Sequence, residues 1–133
     1  MITRIFKPEF EYLVDLNIHS LELTCDFLGI DFNYRVLSKM NLDTGIVNSP
    51  DEWALNICKA SGFNRYINAY TGQKFIDKKK FSQHGVDVKF LEYEFKPYHQ
   101  MGNSFEPGLS VIDVIMFNSP SEIRRMLLNY ELV

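Results

Sequence analysis

Two tetrapeptides of the same design, Ser49-Pro50-Asp51-Glu52 and Ser119-Pro120-Ser121-Glu122, constrain this chain more than any other feature of it. Each supplies a cap hydroxyl, a proline that the first helical position tolerates, and a glutamate at the third position that can reach back to the cap. Each therefore starts a helix. The first is predicted over residues 50–61, stopped by Gly62, with Trp53, Ile57 and Cys58 on its apolar face. The second carries Ile123, Met126, Leu127 and Tyr130 at helical spacing. The residues after the two caps diverge, so the pair does not mark an internal repeat.

Around these fixed points helices alternate with short extended runs. Residues 8–29 carry a wide apolar stripe ending at Gly29 and predict a long amphipathic helix. Residues 32–37 read as a first strand, 65–69 as a second and 86–95 as a third, with a short helix over 77–85 and a helix capped by Ser110 running to Phe117. Strands separated by helices long enough for a crossover predict parallel pairing. The expected fold is a small three-layer α/β domain, a thin and mostly parallel sheet of about three strands flanked by helices, with all 133 residues in one domain. A parallel sheet this narrow is unusual, so further strands are expected from another copy, a homo-oligomer, or from a missing part of the polypeptide.

A net charge of −3 gives no general attraction for nucleic acid or for acidic membranes. The dense basic run Lys78-Lys79-Lys80 is either the solvated first turn of a helix or a steering patch for an anionic ligand. Cys25 and Cys58 lie far apart among apolar neighbours and read as buried free thiols rather than a disulfide or zinc site. No apolar run approaches the roughly 20 residues of a membrane span and no signal peptide is seen, so membrane insertion is not expected and the expected location is cytoplasmic.

The candidate site groups fall after the expected strands: Ser38 after the first, Tyr70, Thr71, Gly72 and Gln73 after the second, and Tyr98, His99 and Gln100 after the third. In a parallel sheet these loops share the edge where open α/β sheets bind ligands, and the helix start at Ser110 would favour an anionic group there. Asp113 stands three positions into that helix between Ile112 and Val114. It is either a first-turn carboxylate bonded to a neighbouring loop or a base or substrate anchor facing the crevice. His99, in an aromatic and glycine-bearing loop, is the better candidate for acid–base work than His19 or His84. Tyr66, in the second strand, needs a partner for its phenol if buried. Trp53 is expected in the core. Asp43-Thr44-Gly45 matches the aspartic protease signature, but its helical neighbours are wrong for that fold and a turn explains it. No spaced metal cluster is present in the sequence, and the cofactor is unknown at this level.

The segments Ile57-Cys58-Lys59-Ala60-Ser61-Gly62, Arg65-Tyr66-Ile67-Asn68, Gly72-Gln73-Lys74, His84-Gly85-Val86-Asp87-Val88-Lys89-Phe90 and above all Phe105-Glu106-Pro107-Gly108-Leu109-Ser110-Val111-Ile112-Asp113 resemble the WbqC-like family. Members of that family are usually longer, and the chain resembles their C-terminal half. The resemblance implies a place in bacterial O-antigen or surface-polysaccharide (lipopolysaccharide) biosynthesis. The expectation is a group transferase, or half of one, acting on a nucleotide-sugar or other anionic small molecule, with Asp113 or His99 taking a proton from the acceptor. The alternatives are a non-catalytic module that completes the sheet of a missing N-terminal half, and a sugar- or nucleotide-binding regulator.

Overall fold

The computed structural model describes residues 2–7 and 9–133, so the expected helix start at Pro8 lies outside the described residues. In chain order the described elements are α1 (Ile2–Phe6), α2 (Leu13–Leu28), α3 (Pro50–Ser61), β1 (Arg65–Ala69), α4 (Lys78–Gln83), β2 (Asp87–Tyr93), α5 (Val111–Phe117), α6 (Pro120–Leu127) and β3 (Tyr130–Leu132). Short 3₁₀ turns occupy Leu37–Lys39 and Tyr70–Lys74. The class is a small α/β fold with a three-stranded sheet. The chain divides into two compact units: a helical unit of the residues up to Tyr34 with Phe95–Asn129, and a sheet unit of Arg35–Glu94 with Tyr130–Val133.

In the sheet unit the strands run in the order β1-β2-β3. β1 and β2 are parallel, with Tyr66 opposite Val88 and Asn68 opposite Phe90. β3 is antiparallel to β2, with Leu132 opposite Leu91 and Tyr130 opposite Tyr93, so the sheet is mixed. Alternation along β2 puts Val88 and Phe90 on one face, and Leu55, Cys58, Phe81 and Val86 close over it to form an apolar core. Phe81 and Phe90 are completely buried, each worth about 2–3 kcal/mol of apolar transfer. Tyr66 lays its ring against Phe81 at 5.8 Å between centroids.

The first capping signature does start α3, with Pro50 in its first turn, and Gly62 ends it in the left-handed region at φ 72°. Its inner face is not the expected one. Asp51, Leu55 and Cys58 are buried, while Trp53 is 52% exposed. These three recur at i, i+4 and i+7, a register hidden in the sequence because its first member is a carboxylate. Lys80 explains how Asp51 can be there, since its ammonium donates to Asp51 Oδ1 at 3.1 Å, to Glu52 Oε1 at 3.3 Å and to Ser49 Oγ at 2.9 Å. Ser49 in turn donates to Asp51 Oδ1 at 2.5 Å instead of capping the helix with its side chain. The Lys78-Lys79-Lys80 run opens α4 as expected, under an Asp77 cap that accepts from Lys79 N and Lys80 N.

Two strand assignments are corrected. Residues 32–37 are not a strand: no ladder partner pairs with them, and Leu37 already belongs to a 3₁₀ turn. Phe32 and Tyr34 do stack on one another at 4.9 Å, the i, i+2 relation of an extended chain. Conversely, Tyr130 does not extend the last helix. α6 ends at Leu127, and Tyr130 enters β3.

The helical unit is held by a few buried apolar groups, Ile5, Leu23, Leu28 and Ile123, and by polar side chains that reach backbone carbonyls of neighbouring helices. α2 starts at Leu13 and closes on Gly29 at φ 64°, where Ile30 N reaches back to Cys25 O at 2.9 Å. The carbonyl of Leu28, left without a partner within its helix, accepts from Arg124 Nη1 of α6 at 2.7 Å. His19 Nε2 bonds to Arg4 O at 3.1 Å, joining α2 to α1. The second capping signature forms a full capping box, with Ser119 and Glu122 bonded reciprocally. Cys25 is half-buried and Cys58 buried, both as free thiols, and burial pushes the Cys58 thiol up.

Candidate functional site

Asp113 lies in the helical unit at the third residue of α5, a seven-residue helix whose cap is Ser110. Ser110 has the extended backbone of a cap (φ −155°), and its hydroxyl accepts from Ile112 N at 3.2 Å. That orientation sends the half-buried Asp113 carboxylate to the loop after Phe95, where two side chains converge on one of its oxygens. Tyr98 donates its hydroxyl to Asp113 Oδ2 at 2.5 Å, and Gln100 donates Nε2 to the same atom at 2.8 Å. The Gln100 amide is itself fixed, because its Oε1 accepts from Glu106 N at 2.8 Å and its Nε2 also faces Glu106 O at 3.2 Å.

The string from Phe105 to Asp113 thus closes on the Tyr98 loop at both ends. Phe105 meets the Tyr98 ring edge-on at 5.1 Å, and Gly108 turns the chain at φ 71°. A Cβ at Gly108 would come to 3.5 Å from the Phe95 ring, in a backbone conformation that side chains rarely adopt. Both donors to Asp113 are neutral and both occupy Oδ2. Among the described residues no group donates to Oδ1 and no cation pairs with the carboxylate. The arrangement holds a carboxylate in one orientation and leaves lone pairs on its other oxygen, the requirement for accepting a hydrogen bond or a proton from a hydroxyl or amine.

The structure therefore brings together Tyr98, Gln100 and Asp113. His99, next in the chain, is exposed and sets its ring against Phe117 at 6.1 Å rather than on Asp113. The remaining candidates belong to the sheet unit. Ser38 is exposed in the 3₁₀ turn after Leu37, without the strand expected to present it. Tyr70, Thr71, Gly72 and Gln73 form the 3₁₀ turn directly after β1, as a strand-end loop should. Gly72 is there for clearance, since a Cβ would collide with Asn68 Nδ2, and Asn68 Oδ1 accepts Ala69 N at 2.8 Å. Tyr66 is a core phenol, pushed up first by burial and then by the nearby Cys58 thiol.

The clasp formed by Tyr98, Gln100 and Asp113 also contains a connection that the sequence does not show. Gln100 is one polar group among several in its loop, and its position two residues after Tyr98 and thirteen before Asp113 gives no sign that it shares their oxygen. Among the described residues no three His, Cys, Asp or Glu side chains converge as a metal site. No described helix is long and apolar enough to cross a membrane.

The Phe105 to Asp113 string that builds the clasp is also the strongest part of the sequence resemblance. No curated protein and no solved structure matches the chain. The model of one family does match, over residues 1–125 and so across both units, and on that extent the chain belongs to the WbqC-like protein family.

Proposed function

We propose that this chain is a group transferase, or part of one, that acts on an activated sugar in surface-polysaccharide assembly, with Asp113 as the base that receives the acceptor's proton. The family supports the pathway, and one observation supports the role: two neutral donors hold Asp113 by a single oxygen and leave the other open. In this reading an acceptor hydroxyl or amine donates to Oδ1. As its oxygen or nitrogen bonds to the electrophilic carbon or phosphorus of the donor, the proton passes to Asp113 and the bond to the leaving group breaks. Tyr98 and Gln100 keep the carboxylate aimed, a positioning contribution in which small displacements are costly. His99, exposed beside the clasp in sequence, is the second acid–base candidate.

Thermal unfolding with nucleotides, nucleotide-sugars and acyl-coenzyme A tests the substrate class. A ligand at about 100 times its Kd adds about 2.7 kcal/mol and raises the melting temperature by several degrees. With that ligand as donor, Asp113→Asn should abolish product formation and leave the melting temperature of the free protein nearly unchanged. A large fall in melting temperature would assign Asp113 to loop closure alone, and binding without turnover in the native protein would favour the regulator.

A non-catalytic interaction module is favoured by a different observation. Ile67, Leu91, Tyr130 and Leu132, all alternating onto the sheet face opposite Val88 and Phe90, are 36–46% exposed. Exposed apolar surface of this kind is the mark of an interaction site. Sedimentation equilibrium distinguishes the two, since a chain that stays monomeric at high concentration removes this reading for a second copy.

A further inference from the structure

The Asp43-Thr44-Gly45 sequence forms a turn, with Gly45 at φ 62° and its N–H donating to Asp43 Oδ1 at 2.9 Å. It also forms one wall of an open groove of about 500 Å³ in the sheet unit, whose other wall is the side of α3 that carries Asn56, Lys59 and Ala60. A volume of this size lies within the roughly 300–1,000 Å³ of small-molecule sites. Asn56 Nδ2 donates to Ile46 O at 3.3 Å and pins the turn to the helix, so both walls are fixed relative to one another.

The lining is chemically mixed in a specific way. Lys59 is exposed and joins no ion pair among the described residues, in contrast to Lys80 and Arg65. Asp43 keeps Oδ2, Thr44 its hydroxyl and Asn56 its carbonyl oxygen for hydroxyl partners, since the bonds within the turn and from the turn to α3 use other atoms. Ile46, 83% exposed, and Ala60 supply apolar surface between them. Hydroxyl-binding groups beside an apolar strip match a sugar ring, which presents hydroxyls at its rim and C–H bonds on its faces. None of the described lining residues is aromatic, which disfavours a nucleobase, whose π face calls for stacking.

We infer that this groove is a second binding site, for an anionic monosaccharide, with Lys59 on the phosphate or carboxylate and Asp43, Thr44 and Asn56 on the hydroxyls. The site stands on residues of the sheet unit alone and does not depend on the reading of Asp113. Amide chemical shifts of the ¹⁵N-labelled full chain test it, titrated separately with glucose 1-phosphate, glucuronate, glucose and inorganic phosphate. The expected result is a saturable response confined to residues 43–46 and 56–60 with at least one of the two sugar anions. Glucose should bind at least tenfold more weakly, as should the same anion to Lys59→Gln, while Asp113→Asn should bind it unchanged. The two anions tell phosphate from carboxylate recognition. Shifts that lie elsewhere or fail to saturate, glucose equal to the anions, or inorganic phosphate equal to glucose 1-phosphate would each overturn the assignment.

Discussion

Asp51 and Asp113 occupy almost equivalent places, the second and third residues of serine-capped helices, and meet opposite fates. In the sheet unit Asp51 is nearly inaccessible and receives both the Ser49 hydroxyl and the Lys80 ammonium on one oxygen. The Ser49 hydrogen bond, and after it Lys80, hold its carboxyl below the usual carboxylate range. In the helical unit Asp113 is half-buried and, among the described residues, is met by a phenol and an amide. A carboxylate neutralised by a cation is committed to joining two helices. One oriented by neutral donors on a single oxygen leaves the other oxygen open to a further partner, which is why Asp113 is the proposed base while Asp51 is read as a tie between helices.

The contrast can be pressed hardest at the core beneath Asp51. Phe81→Ala removes a completely buried ring on which Tyr66 stacks, and should cost about 3–5 kcal/mol in urea unfolding. A cost below about 1 kcal/mol would mean that the sheet unit is not organised around this core.

An intermediate effect is expected in acid. Asp51 and Glu52 both titrate below their usual values in the folded chain, Glu52 chiefly because Asn48 N donates to it. Their contribution is complete above about pH 5, fades as pH falls through the unfolded values of about 4, and is lost as pH falls through the lower folded values. The bonds from Lys80 to Asp51 and then Glu52 raise its ammonium above the usual range, so its contribution is complete below about pH 10 and lost at higher pH. Melting curves from pH 7 to 3 should fall less steeply for Asp51→Asn than for the native chain. Glu122, lowered by Ser119, would account for part of the remaining slope. Equal slopes would remove Asp51 from the acid response.

The smallest effect should come from the clasp. Tyr98→Phe deletes one hydrogen bond to a carboxylate that Gln100 still holds, and should cost about 1–2 kcal/mol. If it cost as much as Phe81→Ala, Asp113 would be as structural as Asp51 and the distinction between them would fail.

Local chemistry makes the helix starts readable. Pro50 in the first turn of α3 and the Ser119 capping box of α6 start helices, and Gly29 and Gly62 end them, because first-turn prolines, caps and left-handed glycines act within a few residues. β1 and β2 are visible as short runs between turns. Sequence and structure part where distant partners decide. Residues 32–37 have strand-like side chains but no ladder, and β3 exists only because Leu132 meets Leu91, some forty positions earlier. Asp51, and not the expected Trp53, lies on the inner face of α3 because Lys80, far along the chain, makes the carboxylate tolerable inside. At the site, Asp113 and Tyr98 stand out by residue type and loop position, while the geometry that ties them through Gln100 and Glu106 cannot be read from spacing.

β3 has a further meaning for how the protein is made. The polypeptide enters the sheet unit at Arg35, leaves it after Glu94 and returns only at Tyr130. During translation, β1 and β2 emerge well before the strand that covers β2's second edge, so that edge stays open until residues 130–132 have cleared the ribosome. The sheet is thus completed only after the intervening segment Phe95–Asn129 has been made, and in the interval the exposed edge of β2 is open to chaperones or to a wrong strand.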